Sequence, residues 1–99
     1  MIGLKTIDRF PLVSVITPTY NAEKYIFQTI ESVRNQKYQN WEMIIVDDCS
    51  QDSTVEIIKN EAEKDKRIKL IQLSKNSGAA VARNTAIRNA RGKYIAFLD

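Results

Sequence analysis

Short apolar runs alternate with segments of helical period along this chain, and that alternation predicts its elements. Residues 12–17, 42–47, 68–72 and 94–98 read as buried strands. The second contains Met43-Ile44-Ile45-Val46 without a polar break, as expected of a strand covered on both faces. Between the strands the apolar period changes from two to near 3.6. Ile26, Ile30 and Val33 make one stripe over 23–36; Val55, Ile58 and Ala62 make another over 53–66. Ser53, with Glu56 three residues on, has the form of a capping box at the start of the second helix. The third helix, 78–91, is built on Ala79, Ala80, Ala82, Ala86 and Ala90, small side chains that permit close approach to a sheet. Asn76 or Ser77 can cap its start, and Gly92 supplies a stop.

Strand and helix in strict alternation predict an α/β fold: a doubly wound, mostly parallel sheet with right-handed crossovers, in an α/β/α sandwich. Residues 11–99 form this one domain, and residues 1–10 read as a loose leader before Pro11. Neither an internal repeat nor a low-complexity stretch interrupts it.

Composition narrows the function classes. At 99 residues there is room for one modest core. The formal charge of +3 is mild, and Lys and Arg are spread out rather than massed in a nucleic-acid-binding block, so no nucleic-acid partner is expected. The sequence holds no His and one Cys, Cys49, which excludes Cys/His metal sites and an internal disulfide. No apolar run approaches the length of a bilayer span, and the first residues lack the apolar stretch of a signal peptide. The default compartment is the reducing cytoplasm, its membrane face included.

Ligands of open parallel sheets bind outside the carboxyl ends of the strands. Those ends carry Thr17-Pro18-Thr19-Tyr20-Asn21, Asp47-Asp48-Cys49-Ser50, Ser74-Lys75-Asn76-Ser77-Gly78 and Asp99, and the topology brings all four to one edge. Within the first loop, Asn21 can cap the first helix and Pro18 can end the strand. The adjacent carboxylates Asp47 and Asp48 repel and lose solvation unless a helix start, an amide donor or a metal compensates, which points to function. Arg83 lies one turn into the third helix, where it can face solvent or reach the loop cluster; its charge suits phosphate or carboxylate. Cys49 has no His to act as base and reads as a small packing residue. Trp41 reads as packing.

Four segments in order, Val13-Ser14-Val15-Ile16-Thr17-Pro18-Thr19-Tyr20-Asn21, Ile45-Val46-Asp47-Asp48-Cys49-Ser50-Gln51-Asp52-Ser53, Asn76-Ser77-Gly78-Ala79-Ala80-Val81-Ala82-Arg83-Asn84 and Gly92-Lys93-Tyr94-Ile95-Ala96-Phe97-Leu98-Asp99, resemble the family 2 inverting glycosyltransferases. The resemblance spans residues 11–99. It implies the first, Rossmann-like half of a GT-A fold, which binds a nucleotide-diphosphate sugar, with UDP the expected nucleotide. By the same resemblance, Pro18, Thr19 and Tyr20 border the base, Asp48 accepts from its imide, Asp47 supports that loop, and Arg83 lies near the base or diphosphate. Asp99 matches the first acid of an Asp-x-Asp motif that binds ribose and, through Mg²⁺ or Mn²⁺, the diphosphate. The metal would stabilise the charge of the leaving diphosphate.

The general base that takes the acceptor's proton, the second metal acid and the acceptor site are expected beyond residue 99. The chain is therefore expected to bind nucleotide at most, while the full-length enzyme transfers sugar to a glycan or lipid-linked acceptor in cell-surface or cell-wall polysaccharide synthesis. Peripheral membrane association suits such acceptors; the oligomeric state stays open. Two other classes compete. A receiver-like phosphorylation module has its acidic pair after the first strand, whereas here the pair follows the second. A non-catalytic binding or interaction module of GT-A shape is opposed by the presence of Tyr20, Asp48, Arg83 and Asp99.

Overall fold

A computed structural model of the chain describes residues 10–98. Asp99 and all of the 1–10 leader except Phe10 lie outside the described residues. Four strands, β1 (Val13–Thr19), β2 (Trp41–Asp47), β3 (Ile68–Gln72) and β4 (Tyr94–Phe97), are joined by helices α1 (Ile26–Arg34), α2 (Thr54–Lys64) and α3 (Ala79–Arg88). The strands pair in parallel in the order β3-β2-β1-β4. This is the α/β arrangement on a parallel sheet that the alternation predicts, and it is Rossmann-like as the resemblance implies.

Side-chain alternation along the strands divides the core in two. On one face Val15, Met43, Ile45 and Ile68 pack with Ile26, Ile30 and Val33 of α1 and Ile58 of α2. On the other, Ile16, Ile44 and Val46 meet Ala82 and Ala86 of α3. The α1 stripe is buried as expected. In α2 the buried positions are Thr54, Ile58 and Glu61, while Val55 is only partly covered. Ala79 and Ala80 are exposed; Ala82 and Ala86 are buried against the sheet, and Ala90 packs partly buried against the same cluster.

Three strand expectations need correction. Pro18 does not end β1, which runs through it to Thr19. The Ile16 carbonyl accepts the Leu98 amide on the β4 side, so residue 18 also turns its backbone that way. The β1–β4 register has ended there, at Ile16↔Phe97, and the missing proline N–H interrupts no ladder. The Tyr94–Phe97 strand is exposed rather than buried, because β4 is an edge whose faces nothing among the described residues covers. β3, the other edge, is buried fully only at Ile68.

The helix starts also differ. The Ser53 hydroxyl makes no cap. Asp52, one residue earlier, accepts the Thr54 amide at 3.0 Å and the Thr54 hydroxyl at 2.5 Å, a charged acceptor displacing a neutral one. Neither Asn76 nor Ser77 caps α3, whose N-cap is Gly78. Helix α3 stops at Arg88, short of Gly92, so Gly92 is not its stop. Gly92 instead passes so close to β1 that a Cβ would lie 2.6 Å from both the amide nitrogen and the Oγ of Ser14.

At this end of the sheet, away from the strand carboxyl ends, a buried network fixes the α3–β4 connection. Glu42 accepts the Ser14 hydroxyl at 2.6 Å, the Arg91 amide at 2.7 Å and the Lys69 ammonium at 2.9 Å. Ser14 Oγ in turn accepts the Gly92 amide at 2.8 Å. Burial opposes ionisation of Glu42, but these donors outweigh it and hold its carboxyl below the ordinary value. Phe10, assigned by sequence to the leader, lies against Tyr38 and accepts from Asn40 Nδ2.

A second ionic cluster joins α1, α2 and β3. Arg34 bridges Glu61 at 2.7 Å and Asp65 at 3.5 Å, and Asp65 also holds Arg67 at 2.9 Å. The Arg67 guanidinium lies 3.8 Å above the buried Trp41 ring. Hydrogen bonding from Arg67 outweighs desolvation and lowers the Asp65 carboxyl from 3.8 to about 2. A folded-state value below the unfolded one means the unfolded chain binds more protons as pH falls. The stabilisation is therefore full above the unfolded value and lost as pH drops through the folded one. Urea midpoints are expected to hold from pH 7 to 5 and to fall between pH 4 and 2. Asp65→Asn should flatten that fall by about 1–2 kcal/mol, and an unchanged acid limb would exclude this cluster as its source.

Candidate functional site

The carboxyl ends of β3, β2 and β1 are level, with Asp47 paired to Gln72 on one side and Thr19 on the other. The ladder continues one step into the loops: the Asp48 amide donates to Thr19 O and the Leu73 amide to Asp47 O, both at 2.9 Å. Loops after three strands therefore start from a common rigid edge. β4 reaches the same edge through the Leu98 amide on Ile16 O.

Strand alternation separates the two adjacent carboxylates. Asp47 turns to the α2 side, where it accepts the Ser50 hydroxyl at 2.5 Å and the Ser50 amide at 2.9 Å. Asp48 turns to the α3 side, where Oδ1 accepts the Ser77 amide at 2.6 Å and Oδ2 the Gly78 amide at 2.9 Å. Helix-start and amide donors of the kind the sequence calls for are thus in place around both carboxylates. The position of Asp48 also suits the positive end of the α3 dipole. Gly78 adopts φ 95°, ψ 161°, a conformation essentially restricted to glycine, and this aims its amide at Asp48.

Pro18, Thr19, Tyr20 and Asp48 line one pocket with Ala79 and Ala82, a cleft of about 110 Å³. Period two puts Pro18 and Asp48 on the α3 face, and the small Ala79 and Ala82 side chains leave the space. Tyr20 is 50% exposed at the rim, so its ring is available to a planar ligand. Asp48 is 6% exposed; each of its oxygens accepts one amide and keeps a second lone pair for a donor in the pocket. Asp47 lies beneath the loop and does not line the pocket. Arg83 is half-buried on α3, next to Ala82, and is not among the lining residues. Asp99 lies outside the described residues, and among those residues no group of three or more His, Cys, Asp or Glu could hold a metal ion.

The sequence reading missed how the first two loops are tied together. Asn21 does not cap α1, which begins at Ile26 after a turn closed on Ala22 O. Its Oδ1 accepts the Gln51 amide at 2.8 Å, and its own amide donates to Ser50 Oγ at 2.8 Å. Glu23 accepts the Ser53 amide and donates its own amide to Asp52. The Ala22 amide donates to Thr54 Oγ1. Asn21 at φ 48° and Cys49 at φ 67° both adopt left-handed backbone. Asn in a turn is a signal for that geometry; Cys carries none. Burial opposes ionisation of Asp52, but hydrogen bonds from Thr54 and the Glu23 amide prevail and lower its carboxyl.

Comparison with known proteins adds to this geometry. The profile of Glycosyl transferase family 2 matches residues 14–99. A Bacillus subtilis (strain 168) protein, TuaG, provisionally named as a teichuronic acid biosynthesis glycosyltransferase, is 57% identical over 90% of the chain and 35% of its own length. An Escherichia coli protein, WfgD, named as a UDP-Glc:α-D-GlcNAc-diphosphoundecaprenol β-1,3-glucosyltransferase, is 50% identical over 89% of the chain and 34% of its length. Among solved structures, Staphylococcus aureus TarS 1-349 in complex with UDP-GlcNAc superposes with a TM-score of 0.81 at 40% identity, covering 88% of this chain and 26% of that one. The mannosyltransferase PcManGT of Pyrobaculum calidifontis, in complex with GDP-Man and Mn²⁺, gives 0.79 at 32% identity over 86% and 26%. The chain thus spans about a third of the length of these curated relatives.

Proposed function

The chain belongs to glycosyl transferase family 2, and from that premise we propose that the full-length protein transfers a sugar from a UDP-sugar to an acceptor hydroxyl with inversion. In this reading the 99 residues supply the nucleotide seat. The observation that carries it is the convergence of Pro18, Thr19, Tyr20 and Asp48 on one pocket at the carboxyl edge of the sheet. The Tyr20 ring offers a stacking surface for a base, and the free lone pairs of Asp48 can accept an imide N–H. Asp47 acts from below, by holding the loop through Ser50. The complexes of TarS 1-349 with UDP and with UDP-GlcNAc support the choice of nucleotide.

Arg83 is proposed to serve the base or the diphosphate and Asp99 the ribose and a divalent ion, Mg²⁺ or Mn²⁺. The ion, when bound, stabilises the negative charge that develops on the leaving diphosphate. The relatives named for teichuronic acid and lipid-linked glycan synthesis support a cell-surface polysaccharide as the product and a glycan or lipid-linked acceptor. We propose that the full-length protein works in the cytoplasm, the inner face of the membrane included. No helix among the described residues is long and apolar enough to cross a membrane. The catalytic base is proposed to lie in the sequence after residue 99, so the 99 residues alone bind nucleotide at most and transfer no sugar.

Titrating UDP and Mg²⁺ into the isotope-labelled chain is expected to shift the amide resonances of Tyr20, Asp48, Ser77 and Gly78. Those of Glu42, Lys69 and Arg91, at the opposite end of the sheet, should stay in place. If the first group does not respond at millimolar UDP in either the 99-residue chain or the full-length protein, the nucleotide seat lies elsewhere.

A further inference from the structure

The bonds that tie the first two loops form a relay from a buried carboxylate to the residue beside Tyr20. Asp47 is 1% exposed, and its Oδ1 takes the single hydroxyl proton of Ser50 at 2.5 Å. That donation leaves the Ser50 oxygen with only lone pairs to offer, and it accepts the Asn21 amide at 2.8 Å. The Ser50 amide is fixed on the second Asp47 oxygen at 2.9 Å. From the other side, Asn21 Oδ1 holds the Gln51 amide at 2.8 Å. Both backbone and side chain of Asn21 are therefore bound to the β2 loop, at a φ of 48° that most side chains avoid. Tyr20 lies between this clamp and Thr19, whose carbonyl is fixed by the Asp48 amide. Its ring is half-exposed, and the backbone held on either side fixes where its Cα–Cβ bond points.

We infer that Asn21 and Ser50 are positioning residues for the base, aiming the Tyr20 ring through the left-handed turn at Asn21 with Asp47 as the buried anchor. The left-handed backbone at Asn21 and Cys49 is strained, and the reciprocal bonds over-determine the turn and keep it from relaxing toward solvent. The inference rests on the reading of Tyr20 as the platform of the nucleotide.

A double-mutant cycle in the full-length protein tests it, with UDP affinity measured calorimetrically in Mg²⁺ and thermal unfolding followed in parallel. Ser50→Ala should weaken UDP about fivefold when Tyr20 is present and less than about twofold in the Tyr20→Ala background, because the two residues act through one ring. Ser50→Thr, which restores the hydroxyl, should recover most of the loss. Equal losses in both backgrounds, or no loss with Tyr20 present, would overturn the positioning role. If Tyr20→Ala itself leaves UDP affinity unchanged, the nucleotide platform is refuted first and the inference falls with it. A second pair keeps the test open if Ser50→Ala fails to fold. Asn21→Gly keeps the left-handed backbone and loses one bond, whereas Asn21→Val also opposes that backbone, so the valine variant should bind UDP more weakly than the glycine variant. Equal affinities for the two would count against the turn as the device that aims the ring.

Discussion

Gly92→Ala is expected to destabilise the chain by about 3 kcal/mol, the upper part of the range for forcing extra atoms into a filled site. The new methyl would lie 2.6 Å from the Ser14 amide nitrogen, 2.6 Å from Ser14 Oγ and 2.9 Å from Leu12 O. Two of those three atoms are backbone of the segment that pairs with β4, and Leu12 O already accepts the Lys93 amide at 2.8 Å. Relief requires β4 to move off β1 or the Glu42 network to open. Urea unfolding measures the loss, and Ser14→Ala offers a control. Removing Oγ takes away one contact and leaves the two backbone clashes, so it should not rescue the variant. A Gly92→Ala protein with the wild-type midpoint would show that the α3–β4 connection can shift freely. Gly78 makes the opposite case: a Cβ there meets nothing within 4 Å, and the cost of substitution would come from the backbone conformation alone.

Asp48→Ala is expected to lower stability by about 2 kcal/mol, the scale of hydrogen bonds to a charged group, and to weaken UDP about tenfold. The two effects have one origin. The carboxylate is both a wall of the pocket and the anchor for the Ser77 and Gly78 amides. Without it, two amides at the start of α3 lose their acceptor and the helix end that closes the cleft is released. Asp48→Asn should be little better for folding, since the carboxamide accepts one amide and turns its NH₂ against the other. Melting temperature and UDP titration measured on the same samples decide the matter. Weaker binding at unchanged stability would mean that the amides find other partners and that Asp48 acts on the ligand alone. Unchanged binding would remove Asp48 from the nucleotide site.

Much of the architecture was legible because it depends on neighbours in sequence. The apolar run of β2, the Ile26–Ile30–Val33 stripe and the small face of α3 are periodic signals, and periodicity follows from local backbone geometry. Parallel order then brought Pro18, Thr19, Tyr20 and Asp48 to one edge without knowledge of any contact. Element ends were less legible. The capping box at Ser53 and Glu56 lost to Asp52, and Pro18 stayed inside β1 because its backbone faces the side where β4 has already ended. The exposure of β4 could not be read from Tyr94-Ile95-Ala96-Phe97 either, since an edge strand and a central strand can share one composition.

By itself, then, the sequence determined the number, kind and order of the elements and the side of the sheet on which chemistry could gather. The tertiary structure alone decided what each polar group does there. Asp48 finds its amides 29 and 30 residues away, Asn21 meets the β2 loop at the same range, and Gly92 lies against a serine 78 residues earlier. Such pairings depend on strand order, on the register of two ladders and on the face to which each residue alternates. None of these is set by local propensity. A carboxylate pair that reads alike in one dimension was thereby split, one member to anchor a helix beside the pocket and the other to hold a loop from beneath.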